Sequence, residues 1–261
     1  MLKTSPLSAS ARRQLETAVR AMYRDVASDP DGDFHFELGR PLAERLGYPP
    51  TLLDSIPAAA IESFAGVGYS LDLAELSPGE RVLDLGSGSG MDVFAAAHLV
   101  GAGGTVVGVD MTDEQLEKAE RLRSAGGFEQ VSFVRSYVEE LPFEDASFDA
   151  VISNGVINLS PEKGRVFAEI SRVLRPGSGR LALADIVSSR PLKAETVAKV
   201  ELWAACVAGA VPEVDYADAI ESAGMTVETQ RENAAYRFIS DRAKTTCTRY
   251  GVHSISVLAR R

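Results

Sequence analysis

The segment Arg81-Val-Leu-Asp-Leu-Gly-Ser-Gly-Ser-Gly90 determines the fold of this chain. Its first five residues are mostly apolar and predict a short buried strand, and the glycines that follow predict a sharp turn. The next residues, Met91-Asp-Val-Phe-Ala-Ala-Ala97, are typical of the start of a helix. Backbone amides at a helix N-terminus after such a turn point towards a bound molecule. The segment therefore predicts a ligand site in an α/β protein.

Two acids near this turn indicate which ligand it binds. The three glycines do not have the G-x-G-x-x-G spacing of the dinucleotide fingerprint. Asp84, just before the turn, would repel a diphosphate but could hold an ammonium group. Asp110 ends the second predicted strand, where a carboxylate can accept hydrogen bonds from both hydroxyls of a ribose. The predicted ligand is a zwitterionic nucleoside. A nicotinamide-dependent oxidoreductase and a purely structural glycine turn are the alternatives.

From Arg81 onward, short β-rich segments alternate with amphipathic helices, which is the pattern of a mostly parallel sheet covered on both faces. We predict strands at 81–85, 105–109, 131–134, 148–153, 179–187, 225–231 and 252–259. Only a loop and a short turn are predicted between the last two strands. Because that connection does not suit a crossover helix, the last strand is predicted to run antiparallel to its neighbours.

The helices are predicted from capping residues and apolar spacing. After the second strand, Thr112 and Gln115 have the spacing of a capping box, and Gly126 ends the helix. Ser160-Pro161 is predicted to begin another helix. Two further helical segments are predicted near 193–208 and 215–223.

The N-terminal region differs in composition from the rest. Apolar residues at helical spacing predict a helix from Ser10 to Val26, and a Pro- and Gly-rich segment with several aromatics predicts an irregular arm over 31–70. We expect this arm to pack as a lid, because binding groups are often carried by loops on a rigid scaffold. The predicted division is an N-terminal helix with a lid-like arm, residues 1–70, and a ligand-binding domain, residues 71–261.

Composition excludes several classes of protein. The formal net charge of −10, without a Lys/Arg run that has interleaved aromatics, argues against nucleic acid as a partner. No segment is apolar enough to span a bilayer and the N-terminus lacks a secretory signal, so we expect a cytoplasmic protein without membrane contact. Cys206 and Cys247 have neither disulfide-framework nor zinc-ligand spacing, so no metal site is expected. The sequence does not predict an oligomeric state.

The pattern Asp84-x-Gly-x-Gly-x-Gly90 followed by Asp110 resembles that of the class I S-adenosylmethionine-dependent methyltransferases. The resemblance implies a Rossmann-like fold with a seven-stranded, mostly parallel sheet, S-adenosyl-L-methionine as the cofactor and a small-molecule acceptor. Met111 would pack on the adenine, Val138 and Glu139 would line its edge, and Asn154 would face the methionine part. The full set of cofactor residues expected from the motif and the resemblance is Asp84, Gly86, Ser87, Gly88, Gly90, Asp110, Met111, Gln115, Val138, Glu139 and Asn154.

A narrower resemblance covers roughly three quarters of the chain, from about Phe64 to the tail. The motifs Val82-Leu-Asp-Leu-Gly-Ser-Gly-Ser-Gly-Met-Asp92, Val109-Asp-Met-Thr112, Ile152-Ser-Asn-Gly-Val-Ile-Asn-Leu-Ser160 and Trp203-x-x-Cys-x-x-Gly-Ala210 are similar to those of the arsenite methyltransferase family. That family binds trivalent arsenic through thiolates. It has cysteine where this chain has Val67 and Gly155, so that only Cys206 remains. The resemblance therefore implies a relative that methylates another small molecule.

The acceptor site is predicted less sharply than the cofactor site. Asn158 and Trp203 are candidates for the substrate pocket, and His35, Tyr69 and Cys206 are candidates for catalysis. If the acceptor is a hydroxyl or an acidic carbon, a base is needed, and His35 is the first candidate. Two alternative functions stay open: a metalloid methyltransferase that uses Cys206, and a non-catalytic module that binds the cofactor without chemistry.

Overall fold

The computed structural model describes residues 8–199, 202–203 and 207–261 of the chain. In these ranges seven strands form one sheet, and their bounds agree closely with the prediction. The strands are β1 (Arg81–Leu85), β2 (Thr105–Asp110), β3 (Val131–Arg135), β4 (Ala150–Asn154), β5 (Arg180–Ser188), β6 (Thr226–Glu232) and β7 (Val252–Arg260). The helices in these ranges are α1 (Ala9–Ser28), α2 (Gly39–Leu46), α3 (Pro50–Leu53), α4 (Ala58–Glu62), α5 (Leu71–Ala74), α6 (Met91–Val100), α7 (Asp113–Gly126), α8 (Lys163–Val173), α9 (Ala194–Val197), α10 (Glu213–Ser222) and α11 (Asp241–Tyr250).

The strand order places the glycine turn at the centre of the sheet. The order is β3-β2-β1-β4-β5-β7-β6, with β1 parallel to β2 on one side and to β4 on the other. Strands are added in opposite directions on the two sides of β1, and open α/β sheets bind ligands outside the carboxyl ends of the strands at such a switch point. The segment after β1 therefore lies where a ligand is expected.

The last strand confirms the prediction that it runs antiparallel to its neighbours, but its predicted connection does not match the structure. β7 is inserted between β5 and β6 and runs antiparallel to both. The predicted loop between β6 and β7 contains the helix α11, which begins after the capping residue Ser240 and ends at Gly251 in the left-handed region. Its sequence is mostly polar, which hid the helical periodicity. Because β6 and β7 are adjacent and antiparallel, this helix lies inside a hairpin and makes no crossover.

Two of the predicted helix starts also differ from the structure. Thr112 is the N-cap residue of α7, but the capping box is absent because neither side chain caps the helix. The Gln115 amide instead donates to the Tyr23 carbonyl at 2.8 Å and accepts from Ser89 Oγ at 2.5 Å. The helix predicted at Ser160-Pro161 begins only at Lys163, since a 3-10 turn over Ile157–Leu159 precedes it.

The N-terminal region is more regular than the sequence suggested. α1 matches the predicted helix, whereas the arm over 31–70, expected to be irregular, contains α2, α3 and α4. Pro50 occupies the first turn of α3 and Pro57 caps α4, so these prolines begin helices and do not interrupt them. Tyr48, Leu53 and Phe64 are buried in the same cluster as Phe94 of α6, so the arm packs against the sheet layer.

The tail contains less described helix than predicted. Of the segment 193–208, α9 and Leu202–Trp203 are helical, and the remainder includes residues outside the described ranges. α10 matches the helix predicted at 215–223. In the described part of the chain, no helix is both long and apolar enough to cross a membrane.

Candidate active site

The turn after β1 depends on its glycines for two different reasons. Gly86, Gly88 and Gly90 have φ values of +68°, +52° and +93°, a region that disfavours side chains. A Cβ at Gly86 would lie 2.2 Å from a Val156 methyl, and one at Gly90 would lie 2.9 Å from the Phe133 ring. At Gly88 the nearest atom is 3.7 Å away, on Gln115. The first and third glycines therefore allow close packing, whereas the second leaves open space beside the turn.

Three carboxylates surround this open space. Asp84 at the end of β1 and Asp92 in the first turn of α6 are buried, and Asp110 at the end of β2 is partly buried. Burial, followed by the charges of Asp92 and Asp110, raises the pKa of Asp84 well above its usual range. Burial also raises the pKa of Asp92 and of Asp110. Three acids that are costly to ionise together form a site that a positively charged ligand would stabilise.

Asp92 is held by a hydrogen-bond network that reaches the arm. The Tyr48 hydroxyl donates to Asp92 Oδ1 at 2.6 Å, and the Asn154 amide donates to Asp92 Oδ2 at 3.2 Å. The same amide donates to the Gly68 carbonyl at 2.9 Å, and Asn154 Oδ1 accepts from the Val67 amide at 2.8 Å. Asn154 therefore joins the end of β4 to the carboxylate and to the segment around Val67.

Asp110 is fixed by the backbone on both sides. Its Oδ2 accepts from the Gly88 amide at 3.0 Å and its Oδ1 accepts from the Thr112 amide at 2.8 Å. These donors lower its pKa, but the burial that raises it outweighs them. The carboxylate is thus held in one orientation at the cavity wall. A group that accepts hydrogen bonds from both hydroxyls of a ribose needs such a fixed orientation.

The open space is part of a cavity of about 390 Å³. The charged part of its wall, which we call the cofactor wall, consists of Asp84, Gly86, Ser87, Gly88, Asp92, Asp110, Met111 and Asn154. Another part of the wall is apolar and adjoins a buried cluster that includes Val67, Trp203, Val207 and Cys247, which we call the apolar cluster. The residues shared by the cavity lining and this cluster or its margin are Leu15, Val19, Tyr23, Met111 and Leu159.

Helix α1 closes one side of the cavity. Arg12, Leu15, Glu16, Val19 and Tyr23 all line it, and their spacing places them on one face of the helix. The helix is attached at both rims. Arg12 forms an ion pair with Glu162 at 2.7 Å, and Glu16 accepts a hydrogen bond from the Tyr137 hydroxyl at 2.5 Å. The sequence predicted this helix but assigned the covering role to the arm over 31–70, which contributes Ala60 and Ser63–Gly66 to the lining.

Most of the predicted cofactor residues meet at this cavity. Those that line it are Asp84, Gly86, Ser87, Gly88, Asp110, Met111, Gln115, Val138, Glu139 and Asn154. Gly90 is the N-cap residue of α6, directly behind the turn. Glu139 accepts a hydrogen bond from Ser160 Oγ, which also belongs to a residue that lines the cavity.

The predicted acceptor residues are not brought together in the same way. Tyr69 packs against Tyr48, with 4.4 Å between the ring centroids. Trp203 lies in the apolar cluster. Neither residue is among those that line the cavity. Asn158 is fully buried in the 3-10 turn. His35 packs edge-on against Phe36, which stacks on the cavity-lining Tyr23, but His35 itself is not among the residues that line the cavity. Cys206 lies outside the described residues.

Sequence reasoning missed three features of the site. Asp92 had a usable signal, since it is an acid two residues into a helix that is otherwise apolar. Tyr48 had none, because only the folding of the arm brings its hydroxyl to Asp92. The face of α1 could be recognised as amphipathic, but its sequence does not reveal that it covers a cavity.

An open sheet of this order, with a glycine turn and carboxylates at its switch point, defines a class I S-adenosylmethionine-dependent methyltransferase. A family model described as a methyltransferase domain matches residues 76–242, and the chain belongs to that family. An arsenite methyltransferase from Halobacterium salinarum is 42% identical over 200 residues, which are 76% of this chain and 51% of the relative. The chain thus spans about half the length of the curated relatives it matches.

Solved structures support the same classification. An arsenic (III) S-adenosylmethionine methyltransferase from Chlamydomonas reinhardtii superposes with a TM-score of 0.64 at 32% identity, over 86% of this chain and 74% of that one. A geranyl diphosphate C-methyltransferase from Streptomyces coelicolor superposes with a TM-score of 0.65 over 95% of this chain and 98% of that one. Because the second pair is only 16% identical, it shows a shared fold and nothing about the acceptor.

The cavity fits S-adenosylmethionine as the resident cofactor. In the described part of the chain, Ser87 Oγ is buried without a hydrogen-bond partner, and it lines the cavity beside the open face of Gly88. Asp84 and Asp92 could hold the ammonium group of the methionine moiety, Asp110 the ribose, and Met111 the adenine. The hydroxyl and the carboxylates named here are the kinds of group to which a zwitterionic nucleoside would bind.

Proposed function

We propose that this chain transfers a methyl group from S-adenosylmethionine to a small organic acceptor. The observation that carries the proposal is the junction in one cavity between the carboxylate-rich cofactor wall and the apolar cluster. The carboxylates suit a cationic cofactor. The apolar side suits an acceptor that is bound largely by removal of its apolar surface from water.

The proposed chemistry depends mainly on positioning. When bound, the cofactor would supply a methyl group on a sulfonium; an acceptor lone pair in line with the methyl–sulfur bond would bond to the methyl carbon as that bond breaks, and S-adenosylhomocysteine would leave with the electron pair on sulfur. Asp92, which accepts hydrogen bonds from Tyr48 and Asn154, would hold the methionine end, and α1, which lines the same cavity, would limit access of water. Leu15, Val19 and Leu159 give the acceptor an apolar surface next to the cofactor wall. If the bound ligands exclude water from this cavity, orientation can supply much of the rate enhancement.

An organic acceptor is favoured by the two positions at which the arsenite methyltransferase resemblance implies cysteine. Val67 and Gly155 are neighbours in the fold, since a Cβ at Gly155 would lie 3.4 Å from a Val67 methyl. Side chains at these two positions would therefore face one another, yet neither carries a thiol here. A thiophilic metalloid needs soft ligands, whereas this pair offers only apolar contact.

Cofactor binding and acceptor identity require separate experiments. Calorimetric titration with S-adenosylmethionine and S-adenosylhomocysteine tests the cofactor, and binding of neither compound at millimolar concentration would refute the proposal. Incubation of protein and methyl-labelled cofactor with an extract of the source organism, followed by mass spectrometry, tests the acceptor. We expect label in a low-molecular-weight organic product. Cofactor binding without transfer to any component would favour the non-catalytic module.

A metalloid acceptor is the second candidate, favoured by the names of the relatives. Cys247 does not suit it as a second ligand, because burial raises the pKa of its thiol to about 12 and keeps it protonated. We expect no methylated arsenic from wild-type protein supplied with arsenite and a thiol reductant. Methylated arsenic that disappears in Cys206→Ala would establish the metalloid activity instead.

The two missing thiols can be introduced to test this distinction. In Val67→Cys/Gly155→Cys the two sulfurs would be neighbours, so we expect the double variant to bind arsenite more tightly than wild type and than either single variant. Gly155 has a φ of +74°, so a side chain there costs about 1–2 kcal/mol of stability. Equal arsenite affinity in all four proteins would show that the positions are not a ligand pair.

A further inference from the structure

A buried charged cluster lies directly behind the cavity wall. Lys163, at the start of α8, and Asp185, in β5, are 5% and 1% exposed. Neither residue lines the cavity or takes part in the proposed transfer. Buried charges of this kind are costly unless hydrogen bonds compensate them, so their contacts indicate what they hold in place.

The pair binds the two ends of one short turn. Asp185 Oδ2 accepts from the Asn158 amide at 2.7 Å and from the Tyr216 hydroxyl at 2.7 Å. Lys163 Nζ donates to the carbonyls of Asn158 and Ser160, at 2.8 and 2.9 Å. An acid at the amide end and a cation at the carbonyl end match the polarity of the 3-10 turn Ile157–Leu159. The turn is therefore held from both ends by opposite charges.

This turn lines the cavity and also adjoins the apolar cluster. Leu159 and Ser160 line the cavity, and Ser160 Oγ donates to Glu139 on the cofactor side. On the other side, Lys163 Nζ lies 5.4 Å from the centroid of the Trp203 ring in the apolar cluster, within the range of a cation–π contact. One ammonium group thus contacts both the turn that lines the cavity and the aromatic ring behind it.

We propose that Lys163 is a positioning residue that fixes the acceptor side of the cavity, because its ammonium joins the 157–160 turn to the ring of Trp203. It acts through these groups and does not touch the reacting atoms. The kinetic part of this inference rests on the proposed function, whereas the contact with Trp203 can be measured without any acceptor.

The charged form of Lys163 is the form that makes these contacts. Burial lowers the pKa of Lys163 to about 8, while the charges of Asp185 and Glu139 oppose that effect. Tyr216 faces Asp185, and burial raises its pKa well above the usual range, so it stays neutral. Glu162, next in sequence, is paired with Arg12. As the pH rises through about 8, the lysine loses its proton, and with it the cation–π contact and the charge that holds the turn.

Trp203 is the sole tryptophan of the sequence, so its fluorescence reports directly on this contact. We expect wild-type emission to change with a midpoint near pH 8, the pKa to which burial brings Lys163. Lys163→Met should abolish the transition. Asp185→Asn should move it to lower pH, because the negative charge that favours the ammonium is removed. Lys199→Met, an exposed lysine four residues before Trp203, is the matched control and should leave the transition unchanged.

The kinetic measurements use the acceptor identified from the extract. We expect Lys163→Met to lower kcat by about tenfold, with the cofactor Kd changed by less than about threefold. The decline of kcat in wild type above about pH 8 should be absent in the variant. A merely structural lysine would change stability without removing that pH dependence.

The results distinguish this inference from the proposed function. A wild-type emission that is flat from about pH 6 to about pH 10, or a transition that persists in Lys163→Met, would overturn the role of Lys163 even if the cofactor binds. Absence of cofactor binding with a normal Trp203 transition would overturn the proposed function alone. The wild-type titration needs no variant, so a failure of Lys163→Met to fold does not prevent the test.

Discussion

The cofactor wall and the apolar cluster show two ways of building one cavity. The cofactor wall comes from a short continuous piece of chain, the glycine turn and α6, together with the ends of β2 and β4. The apolar cluster is assembled from α1, the arm at Val67, β5, α11 and the tail around Trp203. The first is fixed by backbone geometry and buried charge, and the second by packing of distant segments. A protein of this design can keep its cofactor while its acceptor changes.

If the cofactor wall depends on backbone geometry, the largest effect should come from the first glycine. We expect Gly86→Ala to lower the free energy of unfolding by about 2–4 kcal/mol, because the φ is positive and the methyl would clash with Val156. Chemical denaturation measures this. Gly164→Ala, in α8 with no atom near the added methyl, is the control and should be stabilising by about 0.5–1 kcal/mol. Equal stability of the two variants would contradict the steric account.

The next largest effect tests buried charge in the cofactor wall. We expect Asp84→Asn to weaken S-adenosylmethionine binding by about 10- to 100-fold, because a charge-assisted contact to the ammonium is lost. Calorimetry measures the Kd. Glu117→Gln, an exposed carboxylate on α7, serves as the control and should bind like wild type. Retention of full affinity by the Asp84 variant would mean that another group anchors the methionine end.

The pH dependence of binding should follow the same carboxylates. Burial raises the pKa of Asp84, Asp92 and Asp110, so each is protonated at a higher pH in the ligand-free fold than in the unfolded chain. The stability from these groups is therefore complete below their unfolded pKa and is lost as pH rises through their folded pKa.

A cationic cofactor should reverse this trend, because it stabilises the ionised carboxylates. We expect its affinity to rise with pH through the raised pKa of Asp84 and then level off, and thermal unfolding with saturating cofactor to decline less with pH than without it. Titrations over a pH series measure both effects. An affinity that falls as these carboxylates ionise would be incompatible with a charged cofactor at this wall.

The smallest expected effect concerns the attachment of α1, which contributes Leu15 and Val19 to the apolar cluster and lines the same cavity as the cofactor wall. Tyr137 is 45% exposed, and its hydroxyl donates to Glu16. We expect Tyr137→Phe to accelerate cofactor dissociation by about twofold to fivefold, because one partly exposed hydrogen bond that holds α1 is lost. Stopped-flow displacement measures the rate. If the contact acts as stated, Glu16→Gln combined with Tyr137→Phe should be no faster than Tyr137→Phe alone.

The contrast between the two regions also explains which site residues could be predicted from the sequence. Asp84, Gly86 and Gly88 lie on one continuous segment, and their residue types are set by local conformation and by the ligand. Asp110 follows a strand whose position is predictable from periodicity. By contrast, His35 and Tyr69 are candidates because the arm that carries them is expected to cover the site, and the packing of the arm leaves both outside the cavity lining.

The sequence by itself determined the sheet, the antiparallel last strand, and Asp84 and Asp110 of the cofactor wall, because these follow from short-range spacing and from the conformational needs of glycine. Tertiary structure alone decided that Tyr48 meets Asp92, that α1 covers the cavity, and that Lys163 reaches both the 157–160 turn and Trp203. The physical reason is that these contacts join segments far apart in the chain. Their geometry depends on how whole helices and strands pack together. The local pattern of residues along the sequence does not specify that packing.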